Sequence, residues 1–555
     1  MNLALLAALA ALPAAASAST AELTRFSLAS EEDLPVAQRS GAALTAPGFA
    51  PAGAAWTSAT VPCTVLACLI EAGRVPADVF VGDKIAAVNA SRFDSAFYYW
   101  TSFPLAPATG AGDGFVSLAL HGVNYRAHVF LNGVLVADNA TVVGAYSYFE
   151  IDLTAAALRD GSANLLAIRV TRQNDLVFGS GADATKDLGM TFVDWSYSDP
   201  PDGNLGLWRK VFVSTHGPAT LRSPGVLTAL PAPQAAAAAT AAAPRAFAYA
   251  DLTVIVEARN FDPANALRGT LQGAVRAPSG GVPLCNFSKA VVVPAGSEST
   301  LTVTTSDAPC LRVASPQLWW PYQMGPPTLH ALELSLAGPA GATSDSLATP
   351  FGIRLAASNL TTDGLRLFTF NTLPVLIRGG GWSPDLFQRV DDARLDHQLA
   401  LTRDIGVNAI RFEGKMEPDE LFASLDELGV LALPGWCCCD AWQHWGVWGG
   451  EQRTVAALSM RSQARRLRRF ASIVGFLVSS DELPPREVEQ LYLDELANAS
   501  WPAFAASVSA ASAATSPITG KTGVKMSGPY SWVPPNYWLQ DDGGKGLGGG
   551  WGFLT

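Results

Sequence analysis

Acidic and aromatic side chains stand directly after the strands predicted in the last third of the chain: Asp385, Glu413, Trp436 and Asp481. In a (β/α)8 barrel, the carboxyl ends of the strands build the active site. Carboxylates beside indole rings suit sugars, because apolar sugar faces stack on aromatic rings and paired carboxyls carry out acid–base and nucleophilic steps. The pattern favours a glycosidase, and the alternative is an oligosaccharide-binding protein without catalysis.

The sequence lacks the usual motifs for phosphate binding and for metal binding. The run Arg378-Gly379-Gly380-Gly381 does not have the GxGxxG spacing, and it predicts a tight exit from a strand. No glycine-rich loop carries a P-loop lysine, and the six histidines form no metal-binding cluster. Three consecutive cysteines at 437–439 cannot readily direct their thiolates at one tetrahedral metal. We therefore predict neither a cofactor nor a metal.

The segment from residue 365 alternates strands with helices. Strands are predicted at 373–377, 407–412, 430–433 and 473–478, with helices at 391–405, at 417–428 and in a longer region that ends at 469. Strand, helix, strand at this spacing indicates parallel β/α units. An arginine cluster on the helix before the fourth strand is typical of a solvated outer face; its members are Arg461, Arg465, Arg466, Arg468 and Arg469.

The chain before residue 350 has an all-β pattern. Short alternating strands fill 40–220, and the apolar run 127–131 ends in Asn132-Gly133, a strong hairpin signal. This predicts a jelly-roll-like β-sandwich. An alanine- and proline-rich linker follows at 230–244, and strands between 252 and 336 predict an immunoglobulin-like sandwich. Cys285 and Cys310 are a plausible disulfide pair within it.

The predicted fold class is therefore multidomain, β followed by α/β. The domain plan has a signal peptide (1–18), a first β-sandwich (25–222), a linker (223–246), an immunoglobulin-like β-sandwich (247–352) and a TIM barrel (353–555). A chain of 555 residues is long enough for several buried cores.

The N-terminus and the net charge bear on compartment and partners. Leucine and alanine dominate residues 3–16, and Ala16-Ser17-Ala18 is a small-residue cleavage site, which predicts a secreted or lumenal protein. A net charge of −11 argues against a nucleic-acid partner. Past the N-terminus, no run approaches the roughly 20 apolar residues of a membrane span. Acceptor sequons for N-glycosylation occur at Asn89, Asn139, Asn286, Asn359 and Asn498.

Several runs resemble glycoside hydrolase family 2. The segment WTSATVPCTVL (56–66) is similar to the start of that family's sugar-binding domain. The runs TFVDW (191–195), PPD (200–202), GLWR (206–209), LWWPYQMG (318–325) and FGIR (351–354) resemble its β-mannosidase and exo-β-glucosaminidase branches. The runs IRGGGWSPDLF (377–387), EPDE (417–420), PGW (434–436), CCD (438–440) and SPITG (516–520) resemble the exo-β-glucosaminidases in particular.

The resemblance implies retaining, exo-acting hydrolysis of a terminal β-linked sugar from an oligosaccharide or polysaccharide. One carboxyl is the acid/base and a second, about 5–5.5 Å away, is the nucleophile. The resemblance places the acid/base at Asp481, in Ser479-Ser480-Asp481; a turn cap is the alternative role for Asp481, and Glu482 is the alternative acid.

The same resemblance implies further site residues. Arg411 resembles an arginine that supports the nucleophile, or else it forms a buried structural ion pair. Asp385 resembles a carboxylate that reads the substrate amine, or else it caps a loop. The other substrate-binding candidates are Glu413 and Cys437, together with Trp436, Tyr530 and Trp551, which are sugar platforms or ordinary core residues.

Two departures from the family pattern stand out. The glucosaminidases have a glutamate after Pro-Gly-Trp that helps to bind the substrate ammonium, and here that residue is Cys437. Specificity is thus open between β-glucosaminide and β-mannoside. The nucleophilic glutamate would fall just beyond Thr555, so we expect a barrel truncated at its C-terminus and a chain that is inactive as given. A catalytically inactive carbohydrate-binding protein is the alternative.

Overall fold

The computed structural model describes residues 18–108, 114–174, 187–190, 199–231, 246–278, 280, 283–339, 341–414, 416–436, 441–480, 482–506 and 515–524. Within these ranges, no helix combines the length and the apolar character that a membrane crossing requires.

The first unit is an antiparallel β-sandwich, as the alternating pattern predicts. Its sheets have the strand orders β1-β12-β6-β9 and β3-β2-β5-β10-β7-β8, and apolar side chains fill the space between them. Helices α1 (Gly41–Leu44) and α2 (Val65–Glu71) interrupt the strands. The strands are β1 Ser19–Glu22, β2 Arg25–Ser30, β3 Thr57–Thr60, β4 Cys63–Thr64, β5 Phe97–Pro104, β6 Phe115–Leu120, β7 Arg126–Leu131, β8 Val134–Val143, β9 Phe149–Asp152, β10 Ala163–Thr171, β11 Gly206–Leu207 and β12 Val211–His216.

The second unit is a smaller antiparallel sandwich with two four-stranded sheets. One has the order β13-β14-β17 with β18 paired to β14, and the other has the order β16-β15-β19-β20. The disulfide Cys285–Cys310 confirms the predicted pairing. The strands are β13 Ala219–Ala229, β14 Tyr249–Asn260, β15 Leu267–Arg276, β16 Pro283–Val293, β17 Glu298–Val303, β18 Arg312–Ala314, β19 His330–Ala337 and β20 Thr343–Phe351. Strand β13 begins inside the segment predicted to end the first sandwich and runs into the predicted linker.

The third unit contains a five-stranded parallel sheet in the sequential order β24-β25-β26-β27-β28, with helices α3–α6 between its strands. A three-stranded antiparallel sheet, β21-β22-β23, precedes it. The strands are β21 Ala356–Leu360, β22 Arg366–Phe370, β23 Leu373–Val375, β24 Gly379–Gly381, β25 Ala409–Glu413, β26 Leu431–Gly435, β27 Gly475–Leu477, β28 Phe504–Ala506, β29 Thr515–Ser516 and β30 Gly520–Lys521. The helices are α3 Asp392–Asp404, α4 Asp419–Leu428, α5 Gly450–Leu467 and α6 Arg486–Asn498.

The first strand of the parallel sheet is not the one that the sequence predicts. The apolar run at 373–377 contains β23, which pairs antiparallel with β22, and the glycine run expected to be a strand exit forms β24 itself. A Cβ on Gly379 would lie 2.7 Å from the carbonyl oxygen of Ala409. The close approach of β24 to β25 therefore requires glycine at this position. A strand made of glycines has no alternating apolar side chains, and this explains why the sequence pattern does not predict β24.

Four of the five clustered arginines on and just after α5 do not lie on the solvated outer face that their charge suggests, whereas Arg461 is 40% exposed. Arg468 Nη2 lies 2.6 Å from Glu257 Oε2, and Arg465 Nη1 lies 2.6 Å from Glu298 Oε1, both on the second sandwich. Arg466 and Arg469 both contact Asp419 at the start of α4. The expectation is wrong because α5 packs between the second sandwich and the parallel sheet, where buried cations need carboxylate partners.

Candidate active site

The carboxyl ends of β24 to β27 lie at one edge of the parallel sheet, since adjacent parallel strands run in the same direction. Asp385 lies in the loop after β24, Glu413 ends β25, Trp436 follows β26 and Ser480 lies just beyond β27. The structure thus brings the described strand-end candidates to a common edge. Four predicted site residues lie outside the described residues: Cys437, Asp481, Tyr530 and Trp551.

Arg411, Glu413 and Ser480 form a closed hydrogen-bonded triangle at this edge. Arg411 and Glu413 are two residues apart on β25 and therefore share a face of the sheet. Arg411 Nη1 donates to Glu413 Oε2 at 2.7 Å, Arg411 Nη2 donates to Ser480 Oγ at 2.8 Å, and the Ser480 hydroxyl donates to Glu413 Oε1. The three residues are only 4%, 6% and 1% exposed.

The triangle gives each of these residues a structural task. It neutralises a buried cation with a buried anion, and it anchors the backbone immediately before Asp481 to the neighbouring strand. The described contacts of Arg411 match a buried ion pair, the alternative role for this residue. Its support of a nucleophile stays a prediction, as does a substrate contact of Glu413.

Replacing Ser480 by alanine is expected to lower the free energy of unfolding by about 1–3 kcal/mol. The change removes one hydrogen bond from Arg411 and one from Glu413 in a buried site, although the ion pair between these two residues remains. Urea unfolding followed by tryptophan fluorescence measures the difference. The control is Ser58→Ala on an exposed position of β3, expected within about 0.5 kcal/mol of the parent protein. Equal effects of the two changes would contradict the role of the triangle.

Asp385 closes its own loop. Its Oδ1 accepts hydrogen bonds from the backbone N–H of Phe387 at 3.1 Å and from Arg389 Nε at 3.0 Å. Its Oδ2 accepts from Arg389 Nη2 at 2.7 Å and from Arg394 Nη1 at 3.3 Å. Burial raises the pKa of Asp385, but the hydrogen bonds and charge of Arg389 outweigh burial and hold the pKa below its usual value. These contacts match the loop-cap alternative, and an ammonium contact stays a prediction.

Trp436 lies in the core of the third unit. Its indole stacks on Trp442 with ring centroids 4.5 Å apart, and Tyr146 of the first sandwich packs against both rings. The side chain is 2% exposed. In the described structure Trp436 therefore acts as core packing, which was the alternative to a sugar platform.

A cavity of about 890 Å³ lies between the first sandwich and the loops that follow β24 and β25. We call it the interdomain cavity. Trp208 and Arg209 line it from the sandwich, and Trp382, Asp385 and Glu417 line it from the loops. Trp382 Nε1 donates to Glu417 Oε1 at 3.0 Å, and its backbone N–H donates to the carbonyl of Arg411 at 2.9 Å. Trp382 thus connects the cavity to the triangle.

Helix α2 forms part of the sandwich side of the interdomain cavity, and local sequence explains where it begins. Thr64 caps it, since Thr64 Oγ1 accepts from the backbone N–H of Ala67 at 3.2 Å. Asp202 Oδ2 accepts from the backbone N–H of Leu66 at 2.8 Å. Burial raises the pKa of Asp202 to about 6 despite these backbone donors. The run PPD (200–202) therefore fixes the first turn of α2.

Sequence reasoning assigned no site role to Ser480, Trp382 or Arg209. All three lie within runs that resemble family 2, and Ser480 directly precedes Asp481, so adjacency to a candidate residue was the available signal. Within the ranges that the structure describes, no three His, Cys, Asp or Glu side chains are grouped to hold a metal ion.

Family descriptions match the two sandwich units. Residues 40–178 match "Glycosyl hydrolase 2 galactose-binding domain-like", and residues 244–354 match "Glycosyl hydrolases family 2". The first match covers most of the first sandwich, and the second covers the strands from β14 to β20. Both agree with the all-β units observed.

Relatives match over nearly the whole chain. It is 37% identical to an exo-β-D-glucosaminidase of Streptomyces avermitilis, over 96% of this chain and 54% of the relative. It is 36% identical to the exo-β-D-glucosaminidase of Amycolatopsis orientalis, over 92% of this chain and 45% of the relative. The exo-chitosanase of A. orientalis superposes with a TM-score of 0.80 at 33% identity, over 96% of this chain and 57% of that one. The chain spans about half the length of these relatives, and it belongs to glycoside hydrolase family 2.

Proposed function

We propose that the protein containing this chain is a retaining, exo-acting glycoside hydrolase that removes terminal β-linked glucosamine from oligosaccharides. The observation that carries the proposal is the buried triangle, which fixes Ser480 at the end of β27, directly before Asp481. The relatives named exo-β-D-glucosaminidase support the sugar. A complex of an exo-chitosanase variant with PNP-β-D-glucosamine supports the same choice.

In the proposed mechanism, Asp481 protonates the glycosidic oxygen while a second carboxylate attacks the anomeric carbon from the opposite face. The bond to the leaving group breaks, and a covalent glycosyl-enzyme forms. Asp481 then removes a proton from water, which attacks the anomeric carbon and releases the sugar. Family resemblance puts the nucleophilic glutamate just past Thr555, and reading the transcript beyond this codon tests that expectation.

Closure of the parallel sheet into an eight-stranded barrel is part of the proposal. Support comes from five parallel strands in sequential order, with helices between them and candidate residues at their carboxyl ends. Barrel closure would arrange the carboxyl ends of all strands around one opening, and would thereby let Asp481, after the fourth strand, face a nucleophile supplied by a later strand.

The substrate is tested by assaying the full protein that contains this chain, including the region expected to carry the nucleophile, on p-nitrophenyl β-D-glucosaminide and p-nitrophenyl β-D-mannoside. We expect the glucosaminide to have the higher kcat/KM. A higher value for the mannoside would overturn the sugar assignment but leave the hydrolase. Binding of glucosamine without turnover of either substrate would instead indicate the inactive carbohydrate-binding protein.

The change Cys437→Glu is expected to raise kcat/KM for the glucosaminide by about 10- to 150-fold, because it adds an anion where the substrate ammonium is expected. Steady-state kinetics on both glycosides measure the change, and the mannoside value should stay level since that sugar has no amine. The matched control, Cys437→Gln, adds the same bulk without charge and should give no gain. A gain with glutamine, or none with glutamate, would count against the amine argument.

We also propose that the protein is secreted. Two disulfides in separate units support an oxidising compartment, Cys63–Cys68 and Cys285–Cys310. Expression in a eukaryotic host should place the protein in the medium, with glycans removable by an endoglycosidase. Retention in the cytosol with reduced thiols would overturn this proposal.

A further inference from the structure

Three strands at the ends of described sheets expose large apolar side chains. Strand β8 ends the six-stranded sheet of the first sandwich, β16 ends a four-stranded sheet of the second, and β21 ends the three-stranded sheet of the third unit. The backbone donors and acceptors along an edge strand form a template for pairing with another chain, and exposed apolar side chains favour such pairing. The exposed side chains are Val134 (50%) and Leu135 (48%) on β8, Leu284 (40%) and Val292 (48%) on β16, and Leu360 (40%) on β21.

Each of these edge strands also contains the acceptor asparagine of one N-glycosylation sequon. The acceptors are Asn139 on β8, Asn286 on β16 and Asn359 on β21. The other two sequons lie away from the strands, since Asn89 caps a short 3₁₀ helix and Asn498 is the last residue of α6. Apolar edge strands and sequons therefore coincide in three different sheets.

Strand β16 shows the arrangement most clearly. Cys285 and Phe287 are buried, whereas the side chains that alternate with them, Leu284, Asn286 and Ser288, are exposed. Neighbouring residues on one face of a strand are about 7 Å apart, so Asn286 stands beside Leu284 on the outer face. An oligosaccharide attached to Asn286 would therefore cover this leucine and the strand edge next to it.

Charge does not protect the outer face of β16. The exposed positions described on this strand hold leucine, asparagine, serine, alanine and valine. Lys289 is the charged residue of β16, and its ammonium is engaged elsewhere: Lys289 Nζ lies 2.9 Å from Asp307 Oδ1 and donates to the carbonyl of Thr302 at 2.7 Å. An edge strand without an exposed charge needs another device against pairing, and a bulky, solubilising glycan provides one.

A bulge interrupts β8 at its sequon. Residues 138–141 stand opposite the single residue His128 of β7. The backbone N–H and the hydroxyl of Thr141 both donate to Asp138 Oδ1, at 2.9 and 2.7 Å, and close a turn around Asn139. Asn139 is half-exposed and lies outside the ladder to β7, so a glycan there leaves the sheet intact.

We propose that Asn139, Asn286 and Asn359 carry N-linked glycans, and that these glycans keep the three apolar edge strands from pairing with other chains. This proposal rests on the proposed secretion, because the glycans are transferred in the secretory pathway. The side-chain amide nitrogen attacks the anomeric carbon of a lipid-diphosphate-linked oligosaccharide and loses one proton. An N-glycosidic bond forms while the carbon–oxygen bond to the diphosphate breaks, and the diphosphate leaves with the bonding electrons.

Mass spectrometry tests the occupancy of the three sites on the full protein that contains this chain, expressed in a eukaryotic host. A peptide N-glycosidase acting in heavy-oxygen water converts each glycosylated asparagine into a labelled aspartate, and the label is expected at Asn139, Asn286 and Asn359. A missing label at one position overturns the proposal for that strand. Secreted protein without any of the three labels overturns the whole proposal and leaves secretion standing, whereas retention in the cytosol overturns both.

Variants at Ser288 test the role of the glycan on β16, because this exposed residue belongs to the sequon of Asn286. Ser288→Ala removes the sequon while Asn286 stays in place, and the matched control Ser288→Thr retains it. Light scattering of concentrated protein is expected to increase about threefold faster for Ser288→Ala than for the parent protein, and at the parent rate for Ser288→Thr.

A lysine at Leu284 separates lost protection of the edge from a damaged fold. In the Ser288→Ala background, Leu284→Lys should restore the parent rate, because an exposed charge on an edge strand also opposes pairing. Equal rates for Ser288→Ala and Ser288→Thr, or no recovery with lysine, would overturn the protective role of the glycan.

Discussion

Replacing Arg468 by methionine is expected to lower the free energy of unfolding by about 3–5 kcal/mol. Arg468 and Glu257 have side chains that are 0% and 1% exposed, and their ion pair joins helix α5 to the second sandwich. Arg468 also donates to the carbonyl of Ala499 at 2.7 Å and to that of Ser223 at 2.5 Å. Methionine fills much of the same volume but removes the only guanidinium hydrogen bond to the buried Glu257 carboxylate among the described residues, and leaves it Arg465 Nε at 3.6 Å as its nearest counter-charge. Urea unfolding measured by tryptophan fluorescence reports the loss.

The matched control lies about two helical turns away along the same helix. Arg461 makes a bidentate contact to Glu495, at 2.7 Å for both hydrogen bonds, but its side chain is 40% exposed. Water and salt screen this pair, so Arg461→Met is expected to cost at most about 1 kcal/mol. The double change Glu257→Gln with Arg468→Met should recover part of the loss, because it removes the stranded charge. Similar costs for Arg461→Met and Arg468→Met would show that burial of the ion pair does not decide its strength.

The sequence predicts those parts of the fold that local patterns determine. Alternating apolar residues predict the strands of both sandwiches, and the helices α3 and α4 begin and end within two residues of their predicted limits. The disulfide Cys285–Cys310 also follows from proximity within a single predicted domain. In each case the interaction that forms the element joins residues close in sequence or within one unit.

Local sequence patterns do not predict contacts between units. Arg468 and Glu257 are 211 residues apart, and nothing in the helix pattern of α5 shows that a second sandwich covers its arginines. Strand β24 is not predicted for a different reason. Its glycines allow a close approach to the neighbouring backbone, but they provide no alternation of apolar and polar side chains from which a strand could be predicted. The interdomain cavity likewise depends on how the first sandwich meets the loops after β24 and β25.

In the candidate site, too, local sequence patterns predict some features and miss others. Strand-end positions place Asp385, Glu413 and Trp436 at one edge of the sheet, since parallel strands share their direction. The partners of each side chain are set by packing that the sequence does not reveal: Arg389 closes on Asp385, and Trp442 covers Trp436. The positions of these side chains in the fold were therefore predictable from the sequence. Their roles can be assigned only from the side-chain contacts in the structure.

Replacing Asp481 by alanine is expected to lower kcat for a glucosamine disaccharide by about 10²–10⁴-fold, the usual contribution of a general acid–base group. The loss on p-nitrophenyl β-D-glucosaminide should be much smaller in the step that forms the glycosyl-enzyme, because p-nitrophenolate departs without protonation. Comparing kcat/KM for the two substrates isolates that first step. A far larger loss on the disaccharide is thus the signature of a missing acid rather than of a damaged fold.

Azide tests the second step of the mechanism, in which Asp481 acts as the general base for attack of water on the glycosyl-enzyme. Without a general base, water attacks the glycosyl-enzyme slowly, whereas azide needs no deprotonation and should restore turnover of the aryl glycoside by forming a glycosyl azide. The azide product should be the β-anomer, since a retaining enzyme inverts the anomeric carbon twice. The matched control is Glu482→Gln at the exposed neighbouring residue, which should change kcat less than about threefold and gain nothing from azide. Azide rescue of Glu482→Gln instead of Asp481→Ala would move the acid/base role to Glu482, whereas an α-anomeric azide would overturn the retaining mechanism.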